Sequence, residues 1–222
     1  MAAYAKNTPN IYFVGSHSVG KTTLARWCAE RLDRPFITEV ARQVLAEIEI
    51  PLDRMRVELD RIADFQTQVF LRQISAEKAS PPFVADRGFC NLAYAAQHTL
   101  VIKQIESLPA YREYFRSLRD QIIFFVRPSP ATLREDGVRA GVNLHEVLQI
   151  DAMVKLILEM HDLDYVHIGS ESMQERARTV QSVLRYAGVL ERGSDESTSG
   201  NGRSAEVPSR TRADVLESTP RS

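Results

Sequence analysis

This sequence contains little cysteine, no long apolar run and almost no excess of charge of either sign. Its two cysteines, Cys28 and Cys90, have no partner at a spacing typical of a disulfide framework or a metal site. No uncharged run reaches the roughly 18 apolar residues of a membrane-spanning helix, and residues 1–10 lack the apolar stretch of a signal peptide. The formal net charge of -1 gives no global basic field typical of nucleic-acid-binding proteins. We therefore expect a soluble, cytoplasmic protein with a small-molecule substrate.

Composition divides the chain into a core-forming region and a polar tail. The 222 residues are 44% hydrophobic, which suffices for one domain with one sizeable core. After Leu190 the sequence has no aromatic residue, few aliphatic residues and abundant Ser, Thr, Gly, Arg and acidic residues. Such a segment cannot bury enough apolar surface to offset its ordering entropy. We expect a flexible N-terminus over 1–9, one domain over 10–190 and a disordered tail over 191–222.

Within 10–190, short apolar runs alternate with longer amphipathic segments, a pattern typical of strands joined by crossover helices. The predicted strands cover 11–14, 36–38, 83–85, 122–126 and 165–168. Three helices are predicted with recognisable ends. The first covers 53–79, and the second runs from an N-cap at Asn143 to about residue 160. The third runs from an N-cap at Ser170 or Ser172 to about residue 188. Right-handed crossovers build a mostly parallel sheet covered on both faces. The pattern therefore predicts a three-layer α/β domain.

The sequence GSHSVGKT at 15–22 satisfies the phosphate-binding pattern G-x-x-x-x-G-K-[ST]. It directly follows the predicted strand IYFV and precedes the helical sequence TTLARWCAERL. The glycines permit a turn whose backbone N–H groups converge on phosphate oxygens; Lys21 reaches the β and γ phosphates, and Thr22 offers a hydroxyl to Mg²⁺. We interpret His17 as a spacer rather than a catalytic base. The residues expected to contact the nucleotide are Gly15, Ser16, His17, Ser18, Val19, Gly20, Lys21, Thr22 and Thr23.

Carboxylates and arginines follow two other predicted strands. Asp86 ends the run FVAD and is the expected second group at the magnesium ion, with Arg87 beside it to contact a phosphate. A structural Asp–Arg surface pair is the alternative interpretation. Glu39 and Arg42 follow the second strand, three residues apart on one helix face; the carboxylate would accept the proton of an attacking hydroxyl while Arg42 holds the acceptor. An ordinary intrahelical salt bridge explains the same spacing.

The segment RPSPATLREDGVRAGV, which follows the fourth predicted strand, combines proline, glycine and the arginines Arg127, Arg134 and Arg139. A mobile lid that brings cations to a transferring phosphate has this composition. A solvated loop has it too.

Taken together, GSHSVGKTT, TEVARQVL, VADRGFCNLAYA and EDGVR resemble the AAA-type P-loop kinase family that includes the ribosylnicotinamide kinase domain of bacterial NAD-biosynthesis regulators. The resemblance covers 10–190 and implies a nucleoside-kinase-like P-loop NTPase with a five-stranded, mostly parallel sheet and a lid. It implies ATP and Mg²⁺ as cofactors. Related sequences often carry an acid where this chain has Asn91, so we expect an altered acceptor pocket.

The same resemblance assigns roles residue by residue. The implied catalytic residues are Lys21, Glu39, Asp86 and Arg139. Arg134 is added to the nucleotide contacts, with Asp136 between the two lid arginines. The implied substrate-binding residues are Glu39, Arg42 and Arg87, and the implied magnesium-binding residues are Thr22 and Asp86.

These features predict an ATP-dependent kinase that transfers the γ-phosphate to a hydroxyl of a nucleoside, nucleotide or similar small metabolite. Two alternatives stay open. One is a kinase acting on nucleic acid, at a 5′ end or a modified base, against which the near-neutral charge argues. The other is an NTP-hydrolysing regulatory module, for which the phosphate-binding loop alone would suffice. The sequence lacks the guanine-specifying Asn-Lys-x-Asp string, which argues against a GTPase switch.

Overall fold

The computed structural model describes residues 8–38, 40–48, 59–129 and 144–191. Short strands and helices alternate along these ranges, as the apolar pattern predicts. In chain order the elements are β1 (Ile11–Val14), α1 (Lys21–Leu32), β2 (Phe36–Ile37), α2 (Val40–Ile48), α3 (Leu59–Ala79), β3 (Val84–Asp86), a 3₁₀ turn (Gly88–Cys90), α4 (Asn91–Ala95), α5 (Thr99–Glu106), α6 (Pro109–Ser117), β4 (Ile122–Val126), α7 (Leu144–Met160), β5 (Val166–Ile168) and α8 (Met173–Tyr186).

The five strands form one sheet in the order β2-β3-β1-β4-β5, and every pairing is parallel. The predicted five-stranded parallel sheet is therefore confirmed. Ile11 of β1 lies opposite both Val84 of β3 and Ile122 of β4, so the three central strands start at one level. Their carboxyl ends meet at the same edge, and β1 stands where the strand order changes direction. In open α/β sheets this is the edge where ligands bind.

Helices cover both faces of the sheet, which gives the predicted three layers. Alternate residues of β1 point to opposite faces: Ile11 and Phe13 belong to one buried cluster, Tyr12 and Val14 to the other. Helices α1 and α8 pack over the first cluster, whereas α2 to α7 contribute to the second. Because both faces are buried, β1 and β4 are apolar at every position instead of alternating.

The observed strand boundaries differ from the predicted ones only at strand ends. Strands β1 and β4 have the predicted limits, whereas β2 stops at Ile37 and β5 starts at Val166. Strand β3 covers Val84–Asp86 rather than 83–85, because Phe13 of β1 pairs with Asp86 in the ladder. This shift puts Asp86 inside the sheet, at the last residue of β3.

The predicted helices are also found where the structure describes them. Helix α3 occupies the second part of the predicted 53–79 segment, and α7 ends at Met160 as expected. Ser172 is the N-cap of α8, with its hydroxyl accepting from the Glu175 backbone N–H at 3.4 Å. Residues 1–7, 53–58, Asn143 and 192–222 lie outside the described residues. None of the helices in the described ranges has the length and apolar character needed to span a bilayer.

Candidate active site

The loop between β1 and α1 has a backbone shape that depends on its glycines. Gly15 has φ 143° and Gly20 has φ 83°, both values that L side chains rarely adopt, and Ser18 has φ 60°. A Cβ atom on Gly15 would lie 2.2 Å from the carbonyl oxygen of Val126, the last residue of β4. The loop therefore rests directly on the end of β4, and only glycine fits at this contact.

A thiol outside the motif holds the start of this loop. The Gly15 backbone N–H donates to Cys90 Sγ at 3.3 Å, and the thiol is buried. Burial raises the pKa of Cys90, so the thiol stays protonated and acts as a small buried acceptor. The structure thus assigns Cys90 a role in positioning the loop.

Lys21 begins α1 at the base of the loop and is only 4% exposed. Its Nζ donates to the carbonyl oxygen of Ser16, so the loop folds around its own lysine. Burial lowers the pKa of Lys21, while the neighbouring Cys90 and Asp86 oppose that shift. A cation removed from water attracts a nearby anion more strongly than a solvated cation does. This makes the base of the loop suited to a phosphate.

Thr22 and Asp86 meet across the carboxyl edge of the sheet. The Thr22 hydroxyl donates to Asp86 Oδ2 at 2.6 Å, and the Thr38 hydroxyl lies 3.4 Å from the same oxygen. Asp86 is 2% exposed, and its other oxygen, Oδ1, is buried without a hydrogen-bond partner among the described residues. A buried carboxylate oxygen with unused lone pairs needs a partner of its own.

The oxygens of Thr22 and Asp86 fit the requirements of Mg²⁺. Magnesium prefers hard oxygen ligands and keeps several waters, so one or two protein groups plus substrate phosphates usually hold it. Within the described ranges, no group of three or more His, Cys, Asp or Glu side chains could hold a metal ion without such help. The partnerless Oδ1 of Asp86, beside the Thr22 hydroxyl, is the kind of incomplete oxygen set that a magnesium nucleotide completes.

Arg87 combines an exposed side chain with a strained backbone. Its φ of 89° and ψ of -42° are unusual for a residue with a Cβ atom. The backbone is fixed because the Arg87 N–H donates to the Phe13 carbonyl at 2.9 Å. Strain of this kind concentrates at ligand sites. Asp86 is buried against threonines and the Arg87 side chain faces solvent at the carboxyl edge of the sheet, so the alternative of a surface Asp–Arg pair is not the arrangement found.

Arg176 of α8 supports the loop from the opposite side to Cys90. It is 1% exposed, and one guanidinium nitrogen donates to the Val19 carbonyl at 2.6 Å. Others donate to the carbonyl oxygens of Ser170 and, at 3.4 Å, Arg127. One buried cation therefore joins the phosphate-binding loop to the segments after β4 and β5. The sequence prediction did not include it.

Helix α4 brings polar side chains to the same edge. His17 Nδ1 and the Tyr94 hydroxyl are 2.9 Å apart, and burial raises the pKa of Tyr94 to about 12. Asn91 donates from Nδ2 to the Gln66 backbone carbonyl at 3.0 Å. Its own Oδ1 is buried with no hydrogen-bond partner in the part of the chain that the structure describes. His17 therefore contacts α4, and Asn91 presents an acceptor oxygen on this helix.

A family model described as an AAA domain matches residues 10–176. The chain belongs to the AAA domain family. No match is found among curated protein sequences.

Solved structures share the fold of this AAA domain at low sequence identity. NadR protein in complex with NAD and AMP-PNP has a TM-score of 0.60 and 23% identity over 85% of this chain and 52% of its own. The chain thus spans about half the length of NadR. YorR protein from Bacillus subtilis, in complex with phosphorylated GDP, has a TM-score of 0.51 and 12% identity over 80% and 96%. Shikimate kinase from Acinetobacter baumannii, in complex with shikimate, has a TM-score of 0.50 and 17% identity over 82% and 94%.

The described part of the AAA domain brings together many of the residues that the sequence singled out. The loop residues 15–22 and Asp86 meet at one edge, and Thr23 follows in the first turn of α1. Arg42 is exposed on α2. Arg127 is paired with Asp151 at 2.5 Å rather than unattached in a lid segment. The predicted Glu39, Arg134, Asp136 and Arg139 lie outside the described residues. Contacts of all these residues with nucleotide, magnesium or substrate stay predictions.

Proposed function

We propose that this AAA domain is a kinase that transfers the γ-phosphate of ATP to a hydroxyl of a small metabolite, with nucleosides and nucleotides the favoured acceptors. The observation that carries the proposal is the 2.6 Å contact between the Thr22 hydroxyl and Asp86 beside the buried Lys21. A loop that only binds phosphate needs no buried carboxylate next to its threonine. Phosphoryl transfer to a hydroxyl or to water needs one, because the metal on the β and γ phosphates must be held in a fixed position. The exposed Arg42 and Arg87 and the buried Oδ1 of Asn91 favour transfer to an acceptor hydroxyl.

Each group at the edge would have a distinct part in the transfer. The loop N–H groups and Lys21 bind the β and γ phosphates and stabilise charge that develops there. Thr22 and Asp86 would hold Mg²⁺, which neutralises the phosphate oxygens during transfer. The acceptor oxygen attacks the γ-phosphorus, its proton passes to the carboxylate of Glu39, and ADP leaves. Arg134 and Arg139 would stabilise the transferring group, with Asp136 between them in the lid sequence.

The acceptor side supports a small, hydrogen-bonding substrate. Arg42 and Arg87 are exposed cations that can hold an acceptor or its phosphate. The buried Oδ1 of Asn91 can accept from an N–H or O–H group of the acceptor. The fold relatives were solved with NAD, phosphorylated GDP or shikimate, which are hydroxyl-bearing metabolites or nucleotides. Ribosylnicotinamide, which the family resemblance names, and shikimate and GDP, which the complexes of the fold relatives suggest, are therefore suitable members of a test panel.

The test is incubation with ATP, Mg²⁺ and a panel of nucleosides, nucleotides and the three compounds above, followed by mass spectrometry. We expect one acceptor class to gain one phosphoryl group. Lys21→Ala and Asp86→Asn should lower product formation by about 10²- to 10³-fold, as loss of one transition-state contact does. Lys103→Ala, which removes an exposed lysine on α5, is the matched control and should leave the rate unchanged.

Two results would count against the proposal. The first is ATP binding without a phosphorylated product from any acceptor. The second is ATP hydrolysis whose rate no acceptor alters, which would favour an NTP-hydrolysing regulatory module instead. Transfer to oligonucleotides but to no small molecule would support the kinase reaction and reject the proposed acceptor class.

We also propose that residues 10–190 form the single catalytic unit. The contacts of the loop with Cys90 and Arg176 support this unit, because they join its first third to its middle third and to its last third.

A further inference from the structure

Helix α7 carries an apolar stripe on the side that faces solvent. Residues along the stripe recur every four positions, which places them in one continuous ridge about 24 Å long. Four of the five are large side chains that are 46–60% exposed: Leu144, Leu148, Leu156 and Met160. The fifth, Ala152, is exposed at the centre. Exposed apolar ridges of this length mark interaction surfaces more often than single exposed leucines do.

The core does not need this stripe, because α7 has a separate buried face. Val147, Ile150, Val154 and Leu158 pack inward and are at most 2% exposed. Helix α7 is therefore apolar on two sides, one of them packed on the sheet and one facing outward. A helix apolar on two sides is typical of an element with protein on both.

The stripe is symmetric about Ala152. Leu148 and Leu156 lie four residues to either side, and Leu144 and Met160 lie eight residues to either side. A two-fold rotation through Ala152 therefore brings Leu148 of each copy against Leu156 of the other, on either side of the crossing point. Helices that pack through their i±4 ridges have their axes about 8–10 Å apart, and this is the commonest class of helix contact in globular proteins. The small Ala152 at the crossing point permits this close approach.

The polar residues beside the stripe are complementary under the same rotation. His145 and Glu159 are exposed and lie seven residues to either side of Ala152, so each would face the other across the axis. Lys155 would face the neutral Gln149 in the same way. A parallel arrangement would instead set Glu159 against its own copy and Lys155 against its own copy. Like-charge repulsion therefore disfavours a parallel pair, and the antiparallel pair avoids it.

We propose that α7 is a homodimer interface, packed antiparallel against α7 of a second copy of this chain with Ala152 on the two-fold axis. Isologous two-fold contacts of this kind are the commonest in soluble oligomers. The proposal goes beyond the kinase reaction and does not depend on it.

The first test places a cysteine on the axis. Ala152→Cys should form a covalent dimer under mild oxidation, because two copies of residue 152 would adjoin each other. Cys28 and Cys90 are buried and do not compete. Arg178→Cys is the matched control: residue 178 is exposed on α8, which packs on the other face of the sheet. We expect a reducible species of about twice the 25.1 kDa chain mass for Ala152→Cys only. Equal crosslinking of the two variants would overturn the proposal.

The second test first replaces two leucines of the stripe by glutamate and then reverses the charge of a polar residue beside it. Sedimentation of the unmodified chain should give a dimer, and Leu148→Glu with Leu156→Glu should give a monomer with unchanged circular dichroism. Leu100→Glu, at a 72% exposed leucine on α5, should stay dimeric. Glu159→Lys should raise the dimer Kd several-fold, and adding His145→Glu should restore it. A monomeric unmodified chain, or a dimer that survives both glutamates, would refute the interface.

Discussion

The buried carboxyl group of Glu77 makes the free energy of unfolding depend on pH, and its surroundings set the size of this dependence. It lies on α3, is 6% exposed, and accepts from the Tyr12 hydroxyl at 2.8 Å, the Tyr114 hydroxyl at 3.1 Å and Gln73 Nε2 at 2.8 Å. Burial raises the pKa of Glu77 from 4.5 to about 7, against the opposing effect of these three hydrogen bonds. Glu77 also lines a cavity of about 220 Å³ near the amino ends of the strands.

The direction of this pKa shift determines whether the contribution of Glu77 to stability rises or falls with pH. A carboxyl group whose pKa is higher in the folded state binds its proton more tightly there than in the unfolded chain. Its contribution to stability is present in full below the unfolded value of 4.5 and is lost as pH rises to about 7. At about 1.4 kcal/mol for each pKa unit, this loss amounts to about 3 kcal/mol. That is a large fraction of the stability of an average domain.

Glu77→Gln tests this value because the amide has nearly the same shape and does not titrate. Urea unfolding should show that the variant gains about 3 kcal/mol relative to the unmodified chain between about pH 4.5 and pH 8. The two proteins are compared with each other because His161 opposes the trend. Burial lowers the pKa of His161, so its contribution is lost as pH falls below 6.5.

Glu113→Gln is the matched control, since Glu113 is 69% exposed in its pair with Lys78. Its unfolding free energy should follow that of the unmodified chain at every pH. Parallel pH profiles for the Glu77→Gln variant and the unmodified chain would refute the reasoning. So would a variant that loses stability relative to the unmodified chain as pH rises.

Three further substitutions test the site. Gly15→Ala should lower the unfolding free energy by on the order of 2–4 kcal/mol and abolish nucleotide binding, because the added Cβ atom collides with the carbonyl oxygen at the end of β4. Thermal melting measures the first effect, and titration with a fluorescent nucleotide measures the second. Thr22→Val should keep the fold by circular dichroism but lower phosphoryl transfer by about 10²-fold, with the loss most severe at limiting Mg²⁺. Arg176→Met leaves the Val19 carbonyl without its donor, so it should destabilise the fold by about 3 kcal/mol and weaken nucleotide binding, whereas Arg178→Met at an exposed position should do neither.

The sheet could be predicted from the sequence because its central strands are buried on both faces. Unbroken apolar runs such as IYFV and IIFFV leave little choice of limits, and β1 and β4 begin and end as predicted. The edge strands β2 and β5 have only two and three residues, so their local signal is weaker. The end of β3 is fixed by pairing between Phe13 and Asp86, which single-strand patterns do not contain.

The candidate site could be predicted only as far as local motifs reach. The loop and Asp86 are recognisable because each follows an apolar strand. Cys90 and Arg176 contact the loop from 75 and 157 residues away in the chain, and no local pattern encodes such contacts. One signal was present for Arg176: it lies four residues before Val180 and eight before Leu184, on the buried face of α8. A charged residue on an apolar helix face needs a partner inside the protein.

The position of Arg176 also changes how the phosphate-binding motif should be understood. The motif specifies which residues can adopt the loop conformation, but the buried guanidinium of Arg176 holds the Val19 carbonyl in a fixed direction through a 2.6 Å hydrogen bond. The same cation holds carbonyls of Ser170 and Arg127, the residues that follow β5 and β4. A displacement of either segment would therefore alter the hydrogen bonds of the Arg176 guanidinium, including the one that it donates to the loop. Because Arg127 also pairs with Asp151 of α7, the contacts of Arg176 connect the loop to α8, to the ends of β4 and β5, and to α7.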